Sequence, residues 1–410
     1  MPKGIDSQVD VAIVGGGVIG MAVAWRARAR GLSVTVLERG EIGHGTSYVA
    51  AGMLAPVAEV EFGEAGRAAL ELGLRSAELW PGFAAELERA GGVDVGLLKT
   101  GTLMLARDED EARELERQIV FRESLGLRTN RLRASEARER EPALAPTMRL
   151  ALEAPDDHSV DPRSVLVALR RACKTLGVQL RENAPVTRVE LDDAGTRVTG
   201  ATLGKADDGR PSAEYVGNGN VSSAEPGEER ELVPARHVVI AAGPWSGSIP
   251  GLPAEARVPV RPVKGQLLRL RDPAGPGLLE RVVRFAGGYL VPRADGRYVL
   301  GATVEERGFE RHATAGGVYE LLRDAHELVP GVSELQIEEL CVGLRPGTPD
   351  NMPVLGPGAI DGLTWATGHY RNGILLAPLT AELVAGALAG ESPGPLPAAC
   401  RPDRFVRMPA

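Results

Sequence analysis

A glycine-rich turn between an apolar strand and a helix restricts this chain to a small group of folds. Residues 9–14 (VDVAIV) predict a buried strand, and residues 18–30 predict a helix. Residues 33–38 (SVTVLE) predict a second short strand. The intervening residues 15–20 (GGGVIG) fit the G-x-G-x-x-G pattern. The order of strand, turn, helix and strand therefore predicts a Rossmann-type βαβ unit with a parallel sheet.

The same turn predicts a dinucleotide site. Gly15 permits the tight turn, Gly17 lets backbone N–H groups approach a pyrophosphate, and Gly20 lets the helix pack closely on the strand. Glu38 stands at the end of the second strand, where an acidic residue can bind ribose hydroxyls. A glycine-rich turn that serves packing alone is the alternative interpretation.

The segment after Glu38 favours FAD over NAD. Residues 43–54 (GHGTSYVAAGML) carry mostly small side chains, so this chain can lie along a long cofactor and let an isoalloxazine ring approach the backbone. A purely structural loop would explain these glycines too. No second G-x-G-x-x-G stands between a predicted strand and helix, because the GNGN of residues 217–220 lies in a polar stretch. One dinucleotide, FAD, is therefore expected, with electrons passing from the substrate to oxygen or another acceptor.

Charge and cysteine content argue against several other classes of protein. The net charge of −8 disfavours a broad basic surface for nucleic acid or anionic lipid. Cys173, Cys341 and Cys400 are far apart and form no C-x-x-C, which disfavours disulfide and metal frameworks. Residues 1–10 lack an apolar signal core, and no run of about 20 apolar residues occurs. The chain is therefore expected to be cytoplasmic, with no metal, membrane or nucleic-acid partner.

The remaining chain predicts further helices and a second sheet. Residues 64–90 predict a helix interrupted at Pro81–Gly82, and residues 108–124 and 161–177 predict two more. Residues 192–235, rich in Gly, Asp, Glu, Ser and Asn, predict an exposed and partly disordered excursion between strands. The later segments VKGQLLRLR, RVVRFAGGYLVPR and RYVLGATV predict an antiparallel sheet.

Several longer motifs resemble those of one protein family. VAIVGGGVIG, TSYVAAGML, HVVIAAGPWSG, VPVRPVKGQ, GLRPGTPDNMPVLG and GHYRNGILLAPLTAELVA are similar to motifs of the D-amino-acid oxidase superfamily, most of all in the glycine oxidases of thiamine biosynthesis. The resemblance covers nearly the whole chain and implies an α/β fold (α+β overall). It implies a Rossmann-type FAD-binding domain of residues 1–90, 152–258 and 336–410, and a mostly antiparallel substrate domain of residues 91–151 and 259–335.

The resemblance also implies which residues hold non-covalent FAD. They lie in the glycine turn, in the loop after the second strand, near two later strands and in the GHYRNGILL motif: Gly15, Gly17, Val18, Ile19, Gly20, Glu38, Arg39, Thr46, Ser47, Ala51, Gly52, Met53, Val186, Gly243, His369, Tyr370, Arg371, Asn372, Gly373, Ile374 and Leu375. In a covalent branch of the superfamily a cysteine stands where this chain has Arg345. Attachment through the nearby Cys341 is the alternative.

Three residues suit the binding of an amino acid. A guanidinium pairs with a carboxylate through two parallel hydrogen bonds, which sets orientation as well as affinity. The resemblance implies that Arg345 binds the substrate carboxylate, that the Tyr289 hydroxyl assists, and that Arg371 lies close by. For Arg345 the alternative is a structural ion pair with Glu338 or Glu339. For Tyr289 and Arg371 the alternatives are a half-buried strand residue and a structural residue at a helix end.

The predicted enzyme is an FAD-dependent amino-acid oxidase. Glycine would lose a hydride to FAD, oxygen would reoxidise the flavin to give H2O2, and the imine would supply the thiazole of thiamine. A homotetramer is implied as well. Lys264 is a candidate for a positive charge near the flavin, with a sheet-edge lysine as the alternative. Val304 and Gly287 stand where the resembling glycine oxidases have methionine and histidine, so sarcosine and small D-amino acids remain open as substrates.

Other functions remain open for this sequence. The same fold occurs in other D-amino-acid or secondary-amine oxidases, and in dehydrogenases that pass electrons to quinone or to another protein. An amphipathic basic helix for approaching a membrane is not evident in the sequence. A flavoprotein acting on tRNA is disfavoured by the acidic balance, because phosphate contacts dominate nucleic-acid affinity. Retention of Arg345, Tyr289 and Arg371 together disfavours a non-catalytic flavin-binding module.

Overall fold

A computed structural model describes residues 8–204, 231–392 and 396–405. Its strands, in chain order, are Val9–Val14 (β1), Val34–Leu37 (β2), Met53–Leu54 (β3), Thr102–Ala106 (β4), Asn130–Arg133 (β5), Leu150–Ala154 (β6), His158–Ser159 (β7), Gln179–Arg181 (β8), Val186–Leu191 (β9), Val198–Leu203 (β10), Glu231–Ile240 (β11), Arg261–Arg271 (β12), Val282–Phe285 (β13), Gly288–Pro292 (β14), Arg297–Gly301 (β15), Gln336–Gly347 (β16), Val354–Pro357 (β17) and Leu363–Thr367 (β18). Its α-helices are Val18–Ala29 (α1), Thr46–Val49 (α2), Glu64–Gly91 (α3), Glu109–Ser124 (α4), Ala134–Arg140 (α5), Pro162–Thr175 (α6), Ala315–Leu328 (α7) and Ala377–Leu388 (α8).

The first sheet contains the predicted βαβ unit. Its strand order is β17-β18-β11-β1-β2-β8, and β18, β11, β1, β2 and β8 run parallel to one another. Val11 pairs with Val34 on one side and with His237 on the other. The apolar run of β1 is buried because helices α1, α3, α6 and α8 cover one face of the sheet, while a second apolar cluster covers the other. This confirms the Rossmann-type prediction.

Helix boundaries follow local capping signals. The side chain of Asp161 accepts a hydrogen bond from the Arg163 N–H at the start of α6, and Pro162 occupies the first turn. Asp108 caps α4 in the same way. The interruption predicted at Pro81–Gly82 is wrong, because α3 runs unbroken through Pro81. Its buried face, which includes Trp80 and Leu87, packs into the first core and compensates for the hydrogen bond that proline cannot donate.

The predicted excursion of residues 192–235 is wrong in part. Strand β10 lies inside it and β11 begins inside it, and β10 pairs antiparallel with both β9 and β11. Ala201 of β10 is fully buried. Its partner strand β11 is distant in the chain, so the pairing is a long-range contact that local composition does not report. Residues 205–230 of the predicted excursion lie outside the described residues.

The second sheet is mostly antiparallel, as predicted. Its strand order is β16-β12-β15-β14-β13-β4-β6-β5, and only the β13–β4 pair among these described strands is parallel. Helices α5 and α7 pack with this sheet around a separate core. The fold class is therefore confirmed. The division into domains stays a prediction. It assigned residues 336–347 to the FAD-binding domain, but β16 pairs with β12 along its length and so lies in the second sheet.

Within the described ranges, no helix is both long enough and apolar enough to cross a membrane.

Candidate active site

The glycine turn has the geometry that its sequence predicts. Gly15 has φ +110°, a left-handed conformation that favours glycine, and its N–H donates to the Leu37 carbonyl at 2.9 Å. A Cβ on Gly15 would lie 2.4 Å from the Ala241 carbonyl oxygen. A Cβ on Gly20 would lie 2.0 Å from the Gly15 carbonyl oxygen. These two glycines are therefore required by the protein's own packing.

Gly17 differs from these two glycines. Its backbone is extended, and a Cβ there would meet only the Ser47 Oγ, at 3.3 Å. Gly17 is the N-cap of α1 and supplies no side-chain cap, while the Val18 N–H donates to Ser47 Oγ at 3.1 Å. Since helix N-termini attract phosphate, this end of α1, which no side chain of its N-cap residue covers, fits the pyrophosphate of a dinucleotide.

Glu38 and a cavity adjoin the turn. The Glu38 carboxylate accepts hydrogen bonds from the Gly16 N–H at 2.8 Å and the Gly40 N–H at 3.1 Å. Beside it lies a cavity of about 190 Å³, whose lining includes Glu38, Arg39, Thr46 and Trp245. The Arg39 guanidinium lies 3.5 Å from the centre of the Trp245 ring. A carboxylate and a cation–π pair at this place fit the sugar and base of the nucleotide end.

Residues 46–54 connect this cavity with the second sheet. Thr46 Oγ1 donates to the Leu344 carbonyl at 2.7 Å, which places α2 against β16 next to Arg345. Gly52 has φ +82°, and a Cβ there would lie 2.1 Å from the Val160 carbonyl oxygen. Buried Arg293 donates to the Ala51 carbonyl. The small residues therefore let this segment pass between the two sheets, as the FAD prediction requires.

Val186 and Gly243 lie in segments bonded to the same edge of the first sheet. Ala184, two residues before Val186, donates its N–H to the Glu38 carbonyl at 2.8 Å. Gly243 has φ +56° and follows Ala241, whose N–H donates to the Val14 carbonyl at 2.9 Å. Both predicted residues are therefore near the glycine turn, and their contact with FAD stays a prediction.

The GHYRNGILL motif meets the strand that carries Arg345. The Tyr370 N–H donates to the Pro346 carbonyl at 3.0 Å, and Tyr370 has φ +48°, which is uncommon for a residue with a side chain. The Leu375 carbonyl accepts hydrogen bonds from Ser76 Oγ at 2.6 Å and Trp80 Nε1 at 2.9 Å. The loop between them contains Asn372, Gly373 and Ile374. Helix α3 thus holds this loop against β16.

His369 is buried, and its Nε2 lies 3.0 Å from Thr380 Oγ1. Burial lowers the pKa of His369 from 6.5 to about 3. The unfolded chain therefore binds a proton near pH 6.5 that the folded chain does not bind until about pH 3. The contribution of neutral His369 to the free energy of unfolding is thus fully present above pH 6.5. It decreases as the pH falls below 6.5, by about 2 kcal/mol at pH 5.

We expect the variant His369→Gln, which cannot titrate, to lose about 2 kcal/mol less stability than the parent protein between pH 7.5 and pH 5. Urea unfolding at both pH values measures this difference. The exposed His312 provides a control, since His312→Gln should keep the pH dependence of the parent protein. Equal pH dependence in the parent and His369→Gln would contradict the prediction.

Arg345 has carbonyl partners and no carboxylate partner. Its Nη1 donates to the Thr303 carbonyl at 3.0 Å and to the Lys264 carbonyl at 3.3 Å, and the side chain is half-buried. Across residues 8–204, 231–392 and 396–405, no carboxylate oxygen lies within the 4.0 Å of an ion pair with its guanidinium. Glu338 pairs instead with Arg271, and Glu339 pairs with Arg163 at 2.7 Å. The alternative of a structural ion pair for Arg345 is therefore not what the structure shows.

The guanidinium of Arg345 lies directly over Gly265 of the neighbouring strand. A Cβ on Gly265 would lie 2.5 Å from Nη1 and 2.5 Å from Nη2 of Arg345. Glycine at this position therefore leaves the space that the flat guanidinium occupies.

Tyr289 is close enough to Arg345 for the charge of the guanidinium to act on its hydroxyl. It pairs across the sheet with Gly301 and Arg284, and a Cβ on Gly301 would lie 2.8 Å from the Tyr289 hydroxyl. Burial raises the pKa of Tyr289, while the charges of Arg345, Arg284 and Arg371 oppose that rise. The hydroxyl therefore stays protonated and can donate a hydrogen bond to an anion.

Arg371 has an acidic partner. Its Nη2 lies 2.8 Å from Glu61 Oε1, and Glu59 Oε1 lies 3.5 Å from Arg284 Nη1. Burial lowers the pKa of Arg371, but the charges of Glu59, Tyr370 and Glu61 outweigh it, so the pKa is raised. These two glutamates and Arg284 are not among the residues predicted from the sequence. The signal was available in AEVEF, which follows the predicted FAD segment and places two acids in an otherwise apolar stretch.

Lys264, Val304 and Gly287 have environments that the sequence did not reveal. Lys264 is fully buried, with Nζ 3.2 Å from Glu305 Oε2 and 3.3 Å from Glu310 Oε1, so it is not an edge lysine. Val304 is 55% exposed. Gly287 is exposed in the β13–β14 turn with φ +89°, a conformation that favours glycine over histidine there. The predicted effect of Lys264 on the flavin, and of Val304 and Gly287 on the substrate pocket, stays a prediction.

Cys341 is a poor candidate for covalent attachment. It is buried in the apolar cluster where residues 49–53 pack on the second sheet, and its Sγ lies 4.0 Å from Arg163 Nη2. Burial raises the pKa of Cys341 to about 11, so the thiol stays protonated and weakly nucleophilic. Among the described residues, no group of three or more His, Cys, Asp or Glu side chains is arranged to hold a metal ion.

The family model described as FAD dependent oxidoreductase (DAO) matches residues 10–387. The chain belongs to this family. The match spans the glycine turn, the two sheets and the GHYRNGILL motif, and it fits the uncovered N-terminus of α1 and the cavity beside Glu38. An FAD-dependent oxidoreductase is therefore the class of this enzyme.

Named relatives in the family include glycine oxidases. The chain is 36% identical over 380 residues to glycine oxidase of Geobacillus kaustophilus, covering 92% of each chain. A crystal structure of glycine oxidase from G. kaustophilus matches with a TM-score of 0.80 and 35% identity, over 94% of this chain and 95% of that one.

Two further matches are informative. Bifunctional protein ThiO/ThiG of Synechocystis is 35% identical over 405 residues, covering 97% of this chain but 54% of that protein, so the chain spans about half of its length. The structure of iminodiacetate oxidase from Chelativorans matches with a TM-score of 0.78 and 28% identity, over 96% of this chain and 98% of that one.

Proposed function

We propose that this chain is an FAD-dependent glycine oxidase, which converts glycine, oxygen and water into glyoxylate, ammonia and hydrogen peroxide. Relatives named glycine oxidase that are similar over nearly the whole chain support this proposal. The observation that carries it is the half-buried Arg345 guanidinium, which lies near Tyr289 and has no carboxylate partner among the described residues.

The side chains of this chain bind and orient the substrate. Arg345 binds the carboxylate through its free N–H groups, while its bonds to the Thr303 and Lys264 carbonyls restrain the guanidinium. The Tyr289 hydroxyl donates to the same carboxylate. FAD, when bound, would supply the redox chemistry, as the hydride acceptor for the substrate carbon and the electron donor to oxygen. Orientation of this kind can contribute several kcal/mol to lowering the barrier. A substrate bound with a neutral amine needs no side-chain base.

Several finer properties belong to the same proposal. FAD is held non-covalently, which the buried and protonated Cys341 supports. The product imine supplies the thiazole of thiamine, which the relatives named ThiO/ThiG support. The enzyme is a cytoplasmic homotetramer that acts on a small amino acid and oxygen, without nucleic acid.

The experiment that tests the function is anaerobic mixing of the purified holoenzyme with glycine while the flavin absorbance near 450 nm is recorded, since this band bleaches when the flavin accepts two electrons. Bleaching, followed by recovery and stoichiometric peroxide when air is admitted, is the expected result. Sarcosine, D-alanine and D-proline are compared in the same way. If one of these bleaches the flavin and glycine does not, the enzyme is another amine oxidase of this family. Reoxidation by a quinone but not by oxygen would identify a dehydrogenase.

Replacing Tyr289 with phenylalanine is expected to raise KM for glycine about tenfold, because a hydrogen bond to a charged group contributes about 1.5 kcal/mol. kcat should change much less. Tyr298 provides the control, since its buried hydroxyl accepts a hydrogen bond from the Leu278 N–H at 3.1 Å within the core that α5 and α7 form with the second sheet. Tyr298→Phe should lower stability and leave KM unchanged. An unaltered KM in Tyr289→Phe would remove this tyrosine from the substrate site.

A further inference from the structure

Two buried side chains bond every backbone polar group of Val57 and Ala58. The Asp157 carboxylate accepts from the Val57 N–H at 3.1 Å and from the Ala58 N–H at 2.6 Å. Arg122 donates from Nε to the Val57 carbonyl at 3.0 Å and from Nη2 to the Ala58 carbonyl at 3.1 Å. Asp157 is 0% exposed and Arg122 is 1% exposed. We call Asp157 and Arg122 the clamp.

The clamp is assembled from separate parts of the fold. Arg122 lies in the last turn of α4, and Asp157 lies in the turn between β6 and β7. Burial raises the pKa of Asp157 to about 7 and lowers that of Arg122 to about 10, so both charged forms are disfavoured by their surroundings. Two buried ionisable groups that converge on two consecutive residues fix this short segment tightly.

The segment carries two carboxylates toward the predicted substrate residues. Glu59, whose side chain is 11% exposed, lies 3.5 Å from Arg284, and Glu61, whose side chain is 68% exposed, lies 2.8 Å from Arg371. Arg284, Arg371 and Arg345 are the arginines whose charges act on Tyr289. Two of these three guanidiniums therefore each face a carboxylate of the clamped segment, Arg284 the nearly buried Glu59 and Arg371 the exposed Glu61. Arg345 has no such partner within the described ranges.

We propose that Asp157 and Arg122 are positioning residues that hold Glu59 and Glu61 against Arg284 and Arg371, and that this arrangement restricts the site to ligands with a single carboxylate. The ligand's carboxylate is directed to Arg345, because each of the other two guanidiniums already faces a glutamate carboxylate. A second carboxylate would meet Glu59 and Glu61 and be repelled. The inference rests on the proposed function and specifies its substrate class, namely amines that carry one carboxylate.

The test uses acetate and malonate, which carry one and two carboxylates and are not oxidised. The holoenzyme is titrated with each ligand, and binding is followed by the change in flavin absorbance. The parent protein should bind acetate more tightly than malonate. In Glu59→Gln and Asp157→Asn, the affinity for malonate relative to acetate should rise about tenfold, since a repulsive charge is lost or displaced. The rise should be smaller in Glu61→Gln, because the Glu61 carboxylate is mostly in water.

The chain offers a matched control for Asp157. Glu141 is also a buried carboxylate that accepts from two consecutive backbone N–H groups, those of Glu280 at 3.2 Å and Arg281 at 2.8 Å. Glu141→Gln should leave the malonate-to-acetate ratio unchanged. Hydrogen exchange adds a second readout, since the Val57 and Ala58 amides should exchange slowly in the parent protein and faster in Asp157→Asn.

Each outcome decides part of the proposal. An unchanged ratio in Glu59→Gln and Glu61→Gln overturns the carboxylate filter. An unchanged ratio in Asp157→Asn, despite faster exchange at Val57 and Ala58, overturns the positioning role. If neither Asp157→Asn nor Arg122→Lys folds, the test is amide hydrogen exchange in the parent protein. Rapid exchange of the Val57 and Ala58 amides overturns the clamp, and slow exchange supports it.

These titrations need no turnover, so they separate this inference from the proposed function. A holoenzyme that glycine does not reduce, but whose malonate-to-acetate ratio rises in the glutamate variants, refutes glycine oxidation alone. A holoenzyme that oxidises glycine with an unaltered ratio refutes the inference alone. As a further check, kcat/KM for iminodiacetate relative to glycine should rise in the same variants, since iminodiacetate is an amine with two carboxylates.

Discussion

Replacing Arg345 with methionine is expected to lower kcat/KM for glycine by about three orders of magnitude, which corresponds to about 4 kcal/mol. Methionine has about the length of the arginine stem, so it keeps the apolar part of the side chain and removes the guanidinium that lies over Gly265. The loss should be nearly complete for a substrate as small as glycine, because its carboxylate is the main group by which it can be oriented. Steady-state peroxide assays over a wide range of glycine concentration measure this effect.

Arg28 provides a matched control for this substitution. It is also half-buried, and its guanidinium also donates to carbonyl oxygens, those of Leu176 at 2.8 Å and Leu32 at 3.3 Å. It lies in α1, away from β16. Arg28→Met should keep kcat/KM within a few-fold of the parent value, while FAD should remain bound in both variants. Normal oxidation of glycine by Arg345→Met would show that Arg345 does not bind the substrate carboxylate.

Replacing Gly17 with alanine is expected to weaken FAD binding about 100-fold and to leave the folded apoprotein nearly as stable as the parent. The added methyl group meets only the Ser47 Oγ at 3.3 Å, so a small shift of this side chain accommodates it without loss of the hydrogen bond from the Val18 N–H, but it projects where a pyrophosphate would approach the end of α1. A hundredfold change corresponds to about 2.7 kcal/mol of binding free energy. Quenching of FAD fluorescence on titration of the apoprotein measures the affinity.

Gly20 lies in the same turn, but its replacement is expected to lower the stability of the apoprotein. A Cβ at this position would lie 2.0 Å from a backbone oxygen, so α1 would have to move away from β1. Gly20→Ala should therefore destabilise the apoprotein by about 3 kcal/mol or more. Gly82→Ala on α3, where a Cβ would have nothing within 4 Å, is the control, and it should stabilise the helix by up to about 1 kcal/mol. If Gly17→Ala binds FAD with the parent affinity, the turn does not hold the pyrophosphate.

Features set by local interactions could be predicted from the sequence. The β1–turn–α1–β2 unit depends on a short apolar run, on glycines at required positions and on a helix that follows directly. The N-cap residues Asp108 and Asp161 likewise act within three residues of themselves. The motif around Arg345 also located the candidate substrate residue, because the family resemblance rests on contiguous residues.

Features that depend on distant partners could not be predicted in this way. Strand β10 lies between β9 and β11, and its pairing with β11 spans residues 205–230, whose polar composition led the sequence prediction to treat the whole of 192–235 as an excursion. Helix α3 tolerates Pro81 because its apolar face is buried against other elements. The burial of Lys264 between Glu305 and Glu310 also brings together charges that no local spacing associates.

The sequence by itself determined the nucleotide-binding unit, the fold class and the family of this protein, because each follows from contiguous residues whose conformation is set locally. The tertiary structure alone decided which charges are paired. It left Arg345 with carbonyl partners, joined Arg371 to Glu61, and brought Asp157 and Arg122 together around Val57 and Ala58. Pairing of charges depends on distances between segments that only packing fixes, so the same residue types could have produced a different site in another arrangement.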